Sequence, residues 1–576
     1  MNDPSRKGGL ALVISGEAGQ GLQSLEETLV RLARLTGYYS AGISEFMSRI
    51  RGGANSSLVR IGNRPVNSWS ERIDILFSLH EGSIDRLRDR MTEDTIIVGD
   101  ENGVGEEYRN PPWKWFPLDL ETIGKEAGGK LFANGALLGF AAECMGAEER
   151  SLKDILNHAF KGDSRKVDGN LTAASRGREA AREFMKKWDW SFPGARASGQ
   201  PPGDGILDGA TAVSLGALAG GCDFVASYPM SPSTGVLTFL AGQAERFDLV
   251  VEQAEDEIAA VNMGLGAWYG GARALATTSG GGFSLMQEGI SLAGMIESPM
   301  VIHLAQRPGP ATGLPTRTEQ GDFNLALYSG HGEFPRLLFA PGSVEEAVRL
   351  ATRSFYMADR YQVPVIIMTD QFLMDSHFTC ERPELRVVPP DGFTVPSDES
   401  YRRYAWSEDG ISPRALPGYG KGRVRLDSDE HDVHGFITED FDTRKGMMDK
   451  RLRKEKGILE ESWKPNLYGN PDADLLVVCW GSTLYPAREA LEYMENRDLA
   501  LLHFSQVYPL PEEWKSFLEN RKSILAVEGN ATGQFARYLE FRFEIMFDEV
   551  YLKYNGLPFS VEELYREFND FTGGKE

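Results

Sequence analysis

The sequence predicts an α/β architecture of three doubly wound units, and three observations predict it. Short, continuous apolar runs alternate with helical patterns, as parallel strands covered on both faces require. At 576 residues the chain is too long for a single hydrophobic core, so three or four domains of ordinary size are expected. Residues 191–205, with Phe192-Pro-Gly-Ala-Arg-Ala-Ser-Gly-Gln-Pro-Pro-Gly-Asp-Gly205, have the composition of an exposed linker and divide the first unit from the second.

The first unit, residues 1–190, opens with an apolar strand at 10–15 and a glycine turn, Gly16-Glu-Ala-Gly-Gln-Gly21. A helix follows in which Leu22, Leu25, Leu29 and Leu32 share one face and which Gly37 can end. Runs at 75–79 and 95–98 supply further strands. In the second unit, 206–384, a helix at 210–219 precedes strands near 223–227, 249–252, 273–278, 300–305 and 363–369. Residues 385–465 lose the apolar rhythm to Pro, Gly and charge and read as a long connector or an extended insertion. The third unit, 466–576, resumes it with strands at 475–479, 499–504 and 524–527.

Composition excludes several classes of function. With 84 acidic against 61 basic residues the net charge is −23, which argues against nucleic acid or an anionic membrane as a partner. Cys144, Cys222, Cys380 and Cys479 stand far apart without a C-x-x-C, so neither a disulfide framework nor iron–sulfur ligation is expected on this chain. No run approaches the ~18 apolar residues of a membrane span, and the first residues lack the apolar core of a signal peptide. A reduced, cytoplasmic setting is expected.

Three segments carry the chemistry. Tyr228-Pro-Met-Ser-Pro-Ser-Thr234 follows an expected parallel strand and offers Ser231, Ser233 and Thr234 hydroxyls on a proline-stiffened loop, suited to a small anion or a carbonyl oxygen. An ordinary helix cap is the competing reading for each hydroxyl. Glu257 ends Gln253-Ala-Glu-Asp-Glu257 and opens a helix containing Gly264, Gly266, Gly270 and Gly271, where a carboxylate can be buried against a flat heterocycle. Taken alone, the neighbouring Glu252, Glu255 and Asp256 favour a solvated acidic run. Arg307 enters the loop Gln306-Arg-Pro-Gly-Pro-Ala-Thr-Gly-Leu-Pro-Thr-Arg-Thr-Glu-Gln320, where its forked donors suit a carboxylate; a surface ion pair is the alternative.

Together the three segments resemble the alpha subunits of the 2-oxoacid:ferredoxin oxidoreductases, most closely the 2-oxoglutarate branch in its fused gamma-alpha form. The resemblance extends to Glu257-Ile-Ala-Ala-Val-Asn-Met-Gly-Leu-Gly-Ala267, Thr278-Ser-Gly-Gly-Gly-Phe-Ser-Leu-Met286, Trp406-Ser-Glu-Asp-Gly-Ile-Ser-Pro-Arg-Ala-Leu-Pro-Gly418, Asp427-Ser-Asp-Glu-His-Asp432 and Val527-Glu-Gly-Asn-Ala-Thr-Gly-Gln534. It implies a gamma-type domain, a thiamine-pyrimidine-binding domain and a transketolase C-terminal-like domain. It also implies thiamine diphosphate shared with a beta subunit that carries the diphosphate, Mg²⁺ and a [4Fe-4S] cluster, in an (alpha-beta)₂ heterotetramer serving coenzyme A and ferredoxin. Glu257 corresponds to the catalytic glutamate at the pyrimidine N1′, beside Tyr228 and Pro229. Ser231, Arg307 and Thr316 correspond to residues around the substrate carboxylate and carbonyl. The implied reaction is oxidative decarboxylation of 2-oxoglutarate to succinyl-CoA or its reverse. Pyruvate, branched-chain or aromatic 2-oxoacids are the alternative substrates, and a non-catalytic scaffold is the alternative of another class. Met230, Ser231, Pro308, Ala311 and Arg317 depart from the usual wording of the family, which bears on the substrate more than on the reaction.

Other signals are set aside. Gly203-Asp-Gly205 lacks the later asparagine of a diphosphate motif and reads as a turn. Gly16-x-x-Gly-x-Gly21 has neither dinucleotide spacing nor a P-loop lysine, so at best its amides cradle a phosphate. The ligands of Asp427–His434 are too contiguous for a structural zinc site, and no metal is expected on this chain. Arg49 and Arg51, in Ser48-Arg-Ile-Arg-Gly-Gly53, are candidates for an anion such as coenzyme A or for an interdomain salt bridge.

Overall fold

A strand of the first unit forms at Leu10–Glu17 and its amphipathic helix at Leu22–Leu35, joined through Gly21 in the left-handed region (φ 76°). The computed structural model describes residues 9–45, 54–193, 203–385, 387–389, 392–495 and 498–573, so the Ser48–Gly53 motif and most of the expected linker lie outside the described residues. Leu10–Glu17 stands inside an eight-stranded sheet, parallel to Ile75–Ser78 on one side and antiparallel to Ala54–Gly62 on the other. Beyond Ala54–Gly62 come Tyr39–Glu45, His377–Cys380 and Gly205–Asp208, each pairing antiparallel. The unit is therefore doubly wound only in its parallel half, which continues through Ile96–Gly99 and Lys114–Pro117.

Two strands of that sheet, Gly205–Asp208 and His377–Cys380, come from the second unit, so backbone hydrogen bonds join the two. The junction is buried and ionic. Glu26 is fully buried, lies 3.0 Å from His377 Nδ1, and accepts a hydrogen bond from Ser44 Oγ at 3.1 Å. Gly42 makes room for it, since a Cβ there would stand 1.6 Å from the Glu26 carboxylate. Burial alone would lower the His377 pKa, but the Glu26 charge outweighs it and pushes the imidazole up to about 9. In the preceding glycine turn, the Gln20 side chain fills the hollow itself by accepting from Glu17 N at 2.7 Å. That occupies the amide a phosphate would need.

The second sheet runs Gln506–Tyr508, Leu337–Phe339, Pro364–Asp370, Met300–Gln306, Ala274–Thr278, Phe224–Ser227, Val250–Gln253. All pairs are parallel except the edge strand Gln506–Tyr508, which the third unit contributes. The expected strands appear with ends shifted by a residue or two. The third sheet, Asn466–Gly469, Leu499–Phe504, Leu475–Trp480, Ser523–Glu528, Glu549–Leu552, is parallel apart from Asn466–Gly469.

The region 385–465 forms no regular helix or strand among its described residues before Phe441, and then a helix of 20 residues, Phe441–Glu460, that its composition did not announce. The inward face of that helix carries charge: Lys450 and Lys454 both reach the buried Glu297 carboxylate, at 2.8 and 2.7 Å. Burial pushes the Glu297 carboxyl up, yet Lys454, Lys450 and Arg403 pull it well below the usual carboxylate range. Within the same region, Arg414 of the 406–418 motif pairs with Asp359, which Arg273 also holds at 3.0 Å. No helix among the described residues is long and apolar enough to cross a membrane.

Candidate active site

Four loops leave the C-terminal ends of neighbouring parallel strands in the second sheet. From Phe224–Ser227 the chain moves outward to the edge strand Val250–Gln253, then returns to Ala274–Thr278 on the other side and continues to Met300–Gln306. That reversal of direction opens a crevice above the strand ends, the usual place for a ligand in such sheets. Each sequence-predicted segment is one of these loops.

Glu257 begins the helix Glu257–Gly270, with Asp256 capping it by accepting from Ala259 N at 2.7 Å. Of the four clustered acids Glu252, Glu255, Asp256 and Glu257, only Glu257 is buried, at 2% exposure, so the solvated-run reading does not hold for it. Thr278 Oγ1 donates to Glu257 Oε1 at 3.4 Å. Gly282, in the turn after Thr278, lies so close that a Cβ would stand 2.2 Å from both Glu257 Oε1 and Thr278 Oγ1. The Ser-Gly-Gly-Gly run is thus the wall against which the carboxylate is set.

Arg307, directly after Met300–Gln306, donates from Nη1 to the main-chain carbonyl of Ser231 at 2.6 Å. The arginine and the 228–234 loop are therefore one construction. Its guanidinium is half-buried, and desolvation lowers its pKa while Asp322 raises it. Among the described residues no hydrogen bond engages the Ser231 or Thr316 hydroxyl, whereas Ser233 Oγ is used locally, donating to Met230 O at 2.7 Å. Tyr228 is 41% exposed and Pro229 half-buried at the outer rim.

Thr316 sits on a loop gripped by all three units. Arg317 faces Glu45 of the first unit at 3.7 Å, and Thr318 N donates to Gly556 O of the third at 3.2 Å. Gln320 is the main tie. Its Nε2 donates to Trp480 O (3.0 Å), and its Oε1 accepts from Thr483 Oγ1 (3.0 Å) and Gly529 N (2.9 Å). Gln534 continues the grip, donating to Gly321 O at 2.8 Å. The 527–534 motif thus holds the loop that carries Arg307 and Thr316.

Two polar groups escaped sequence reasoning. Asp322 lies two residues past the recognised segment, and its Oδ2 is buried without a hydrogen-bond partner, as is Ser279 Oγ. No periodicity marks either, although Ser279 stands inside a motif already quoted. In the 427–434 segment His431 is buried with Nδ1 2.9 Å from Asp429 O, and Glu430 binds Arg451 at 2.7 Å. No metal-binding group of three acidic, His or Cys residues occurs among the described residues. A cleft of about 1120 Å³ lies elsewhere, between the first and third units, and is lined by none of these site residues.

Residues 215–450 match a family model described as pyruvate flavodoxin/ferredoxin oxidoreductase, thiamine diP-binding, and residues 11–180 match pyruvate ferredoxin/flavodoxin oxidoreductase. A 2-oxoacid:ferredoxin oxidoreductase subunit alpha from Sulfolobus is 31% identical over 96% of this chain and 96% of its own. The chain belongs to this family. It is an alpha subunit of the 2-oxoacid:ferredoxin oxidoreductases, with a thiamine diphosphate-binding domain. The 2-oxoglutarate synthase subunit KorA of Methanocaldococcus jannaschii is 30% identical over 56% of this chain and 87% of its own. A 2-oxoglutarate:ferredoxin oxidoreductase from Magnetococcus marinus, solved with 2-oxoglutarate, coenzyme A and succinyl-CoA bound, superposes with a TM-score of 0.89 at 28% identity. It covers 98% of this chain and 99% of that one. The family's pattern runs through the 406–418 and 427–432 motifs, so the strap that carries them is part of the family fold.

Proposed function

We propose that this alpha subunit supplies the aminopyrimidine-facing and substrate-facing half of a thiamine diphosphate site and acts on 2-oxoglutarate with coenzyme A. The balanced reaction is 2-oxoacid plus coenzyme A to acyl-CoA, CO₂, one proton and two electrons, the electrons leaving to ferredoxin. The observation that carries the reading is Glu257, a carboxylate buried at a helix start and walled by Gly282, with its Oε1 beside the Thr278 hydroxyl. Such a cradle fits a flat heterocycle that offers a ring nitrogen to the carboxylate. Thiamine diphosphate, when bound, supplies the carbanion and electron-sink chemistry that a 2-oxoacid needs.

The chain's own residues then have distinct tasks. Glu257 holds or shares a proton at its carboxylate oxygen, beside the Thr278 hydroxyl, which reaches either that oxygen at 3.4 Å or Ser279 O at 3.3 Å. Arg307, half-buried and anchored by Ser231 O, presents its free donors to a substrate carboxylate in a medium of reduced dielectric. Thr316 and Ser231 offer hydroxyls that no internal bond consumes. Tyr228 and Pro229 rim the cofactor side.

The outer face of Glu257–Gly270 supports the need for a partner. Ile258 is 50% exposed and Tyr269 38%, and nothing stands within 4 Å of a Cβ built on Gly266 or Gly270. A groove of about 750 Å³, lined by Ile258, Asn262, Leu285 and Leu292, continues that face. A beta chain bringing the diphosphate site, Mg²⁺ and a [4Fe-4S] cluster, in an (alpha-beta)₂ assembly in the cytoplasm, completes the enzyme in this reading.

The test is coenzyme A-dependent reduction of a viologen dye by the complex of this chain with its partner, over a panel of 2-oxoacids. Reduction with 2-oxoglutarate in preference to pyruvate, branched-chain and aromatic acids is expected. Preference for one of those would replace the substrate, and no reduction with any 2-oxoacid would leave the non-catalytic scaffold.

A further inference from the structure

The substrate loop is closed at its base by one hydrogen bond: Asp322 N donates to Gln306 Oε1 at 3.0 Å, and Gln306 is itself fixed by donating to Thr369 O at 3.2 Å. This places the residue after Gln306, which is Arg307, beside the residue that ends the loop, which is Asp322. The Asp322 side chain lies on Gly280, where a Cβ would stand 2.4 Å from Oδ2 and 2.5 Å from Oδ1. Gly280 and Gly282 are thus the two ends of one short wall, with Asp322 on the first and Glu257 on the second. Asp322 Oδ2 is buried and has no hydrogen-bond partner. A carboxylate in that condition is poorly stabilised by its own protein and acts at full strength on any nearby cation.

We propose that Asp322 is a positioning residue for the 2-oxoacid: held at Gly280, its carboxylate competes with the substrate carboxylate for Arg307 and so sets how tightly the anion binds. The inference rests on the functional reading above. The charged groups that act on Asp322 are Arg307, which forms no ion pair with it and is bonded to Ser231 O instead, and Glu319; the Gly280–Leu285 helix against which Asp322 packs carries none, and Glu257 is reached only at Gly282. Burial and the Glu319 charge push the Asp322 carboxyl up to about 6, with Arg307 pulling the other way. Below that pH the carboxyl is protonated and neutral, which leaves the guanidinium to the substrate. Above it, the two anions compete.

The experiment is steady-state turnover of 2-oxoglutarate by the complex of this chain with its partner, wild type and Asp322→Asn, between about pH 5 and 8. The expected result is a wild-type KM that falls about tenfold as pH drops through 6, as befits removal of one charge beside a half-buried guanidinium. In Asp322→Asn the KM stays at the low value across the range, and the pH profile of kcat is common to both proteins. A purely structural role would lower kcat or stability and leave the KM inflection in place. A raised KM in the variant, or an inflection that survives it, overturns the proposal. Should the variant fail to assemble, the wild-type profile decides alone, since a KM flat through pH 6 is incompatible with the competition. A wild-type complex that turns over no 2-oxoacid withdraws the functional reading and this inference together.

Discussion

Replacing Gly282 by alanine is the sharpest perturbation of the site, because it adds one methyl group and removes no chemical group. The Cβ would arrive 2.2 Å from Glu257 Oε1 and 2.2 Å from Thr278 Oγ1. Ordinary carbon–oxygen contact needs about 1 Å more, so the carboxylate must retreat by about that distance. Glu257 opens its helix and is held at its N-terminus, so the retreat is a rotation away from the crevice and not a shift of the backbone. A misplacement of ~1 Å in a reacting constellation costs on the order of 10²-fold, or ~2.7 kcal/mol of barrier. Overpacking itself costs ~1–3 kcal/mol of stability, which a protein of this size can absorb. The assay is coenzyme A-dependent dye reduction by the reconstituted complex, alongside hydrogen exchange at the thiazolium C2 of the cofactor. Both should fall about a hundredfold, with Glu257→Gln showing the same pattern and a nearly unchanged melting temperature. Activity within about threefold of wild type in Gly282→Ala would mean that the Glu257 carboxylate is not set by this wall, and the assignment of the catalytic glutamate would fall with it.

Two further perturbations concern the joints that hold the site. His377 has its pKa raised from 6.5 to about 9 by Glu26, so its stabilising charge is fully present below pH 6.5 and is lost as pH rises through 9. That shift corresponds to about 3 kcal/mol, and Glu26→Gln should abolish the pH dependence of the first unfolding transition over that window, as read by denaturant titration. Glu297→Gln leaves Lys450 and Lys454 buried together without their counter-charge, at a cost of ~3–5 kcal/mol; limited proteolysis should then cut the strap between residues 385 and 440 that the wild type protects.

What the sequence discloses and what it hides separate along a physical line. Met300–Gln306 and Pro364–Asp370 are buried on both faces, so their residues are mostly apolar, with His303 the one polar interruption inside the first, and their existence is legible. Tyr39–Glu45 and Ala54–Gly62, rich in Ser, Gly and Asn, are as deeply paired, but small polar side chains on a tightly packed sheet leave no apolar signature. The helix Phe441–Glu460 fails the periodicity test for the opposite reason. Between its buried Met447 and Ile458 the core positions are Lys450, Arg451 and Lys454, and the two lysines are buried against Glu297, more than 150 residues away. A pattern of hydrophobicity cannot report a helix whose buried face is paid for in charge.

The same line runs through the site. The acids around Glu257 argue for solvent, and its burial comes from the place where the fold sets the start of the helix Glu257–Gly270, which composition does not record. Arg307 and Ser231 were named separately, and only the structure shows that one holds the other through a main-chain atom, to which a side-chain reading is blind. Asp322 was invisible on both counts, being an acid among acids in a loop. Its place is defined by the absence of a side chain at Gly280 and by a hydrogen bond from its own backbone to Gln306. The glycines at 280 and 282 therefore belong with the site: each is the space that a carboxylate occupies, Asp322 at the first and Glu257 at the second. If the wall were displaced as a unit, Glu257 and Asp322 would move together, and proton handling and anion affinity would change in the same variant. That coupling distinguishes a shared wall from two independent pockets.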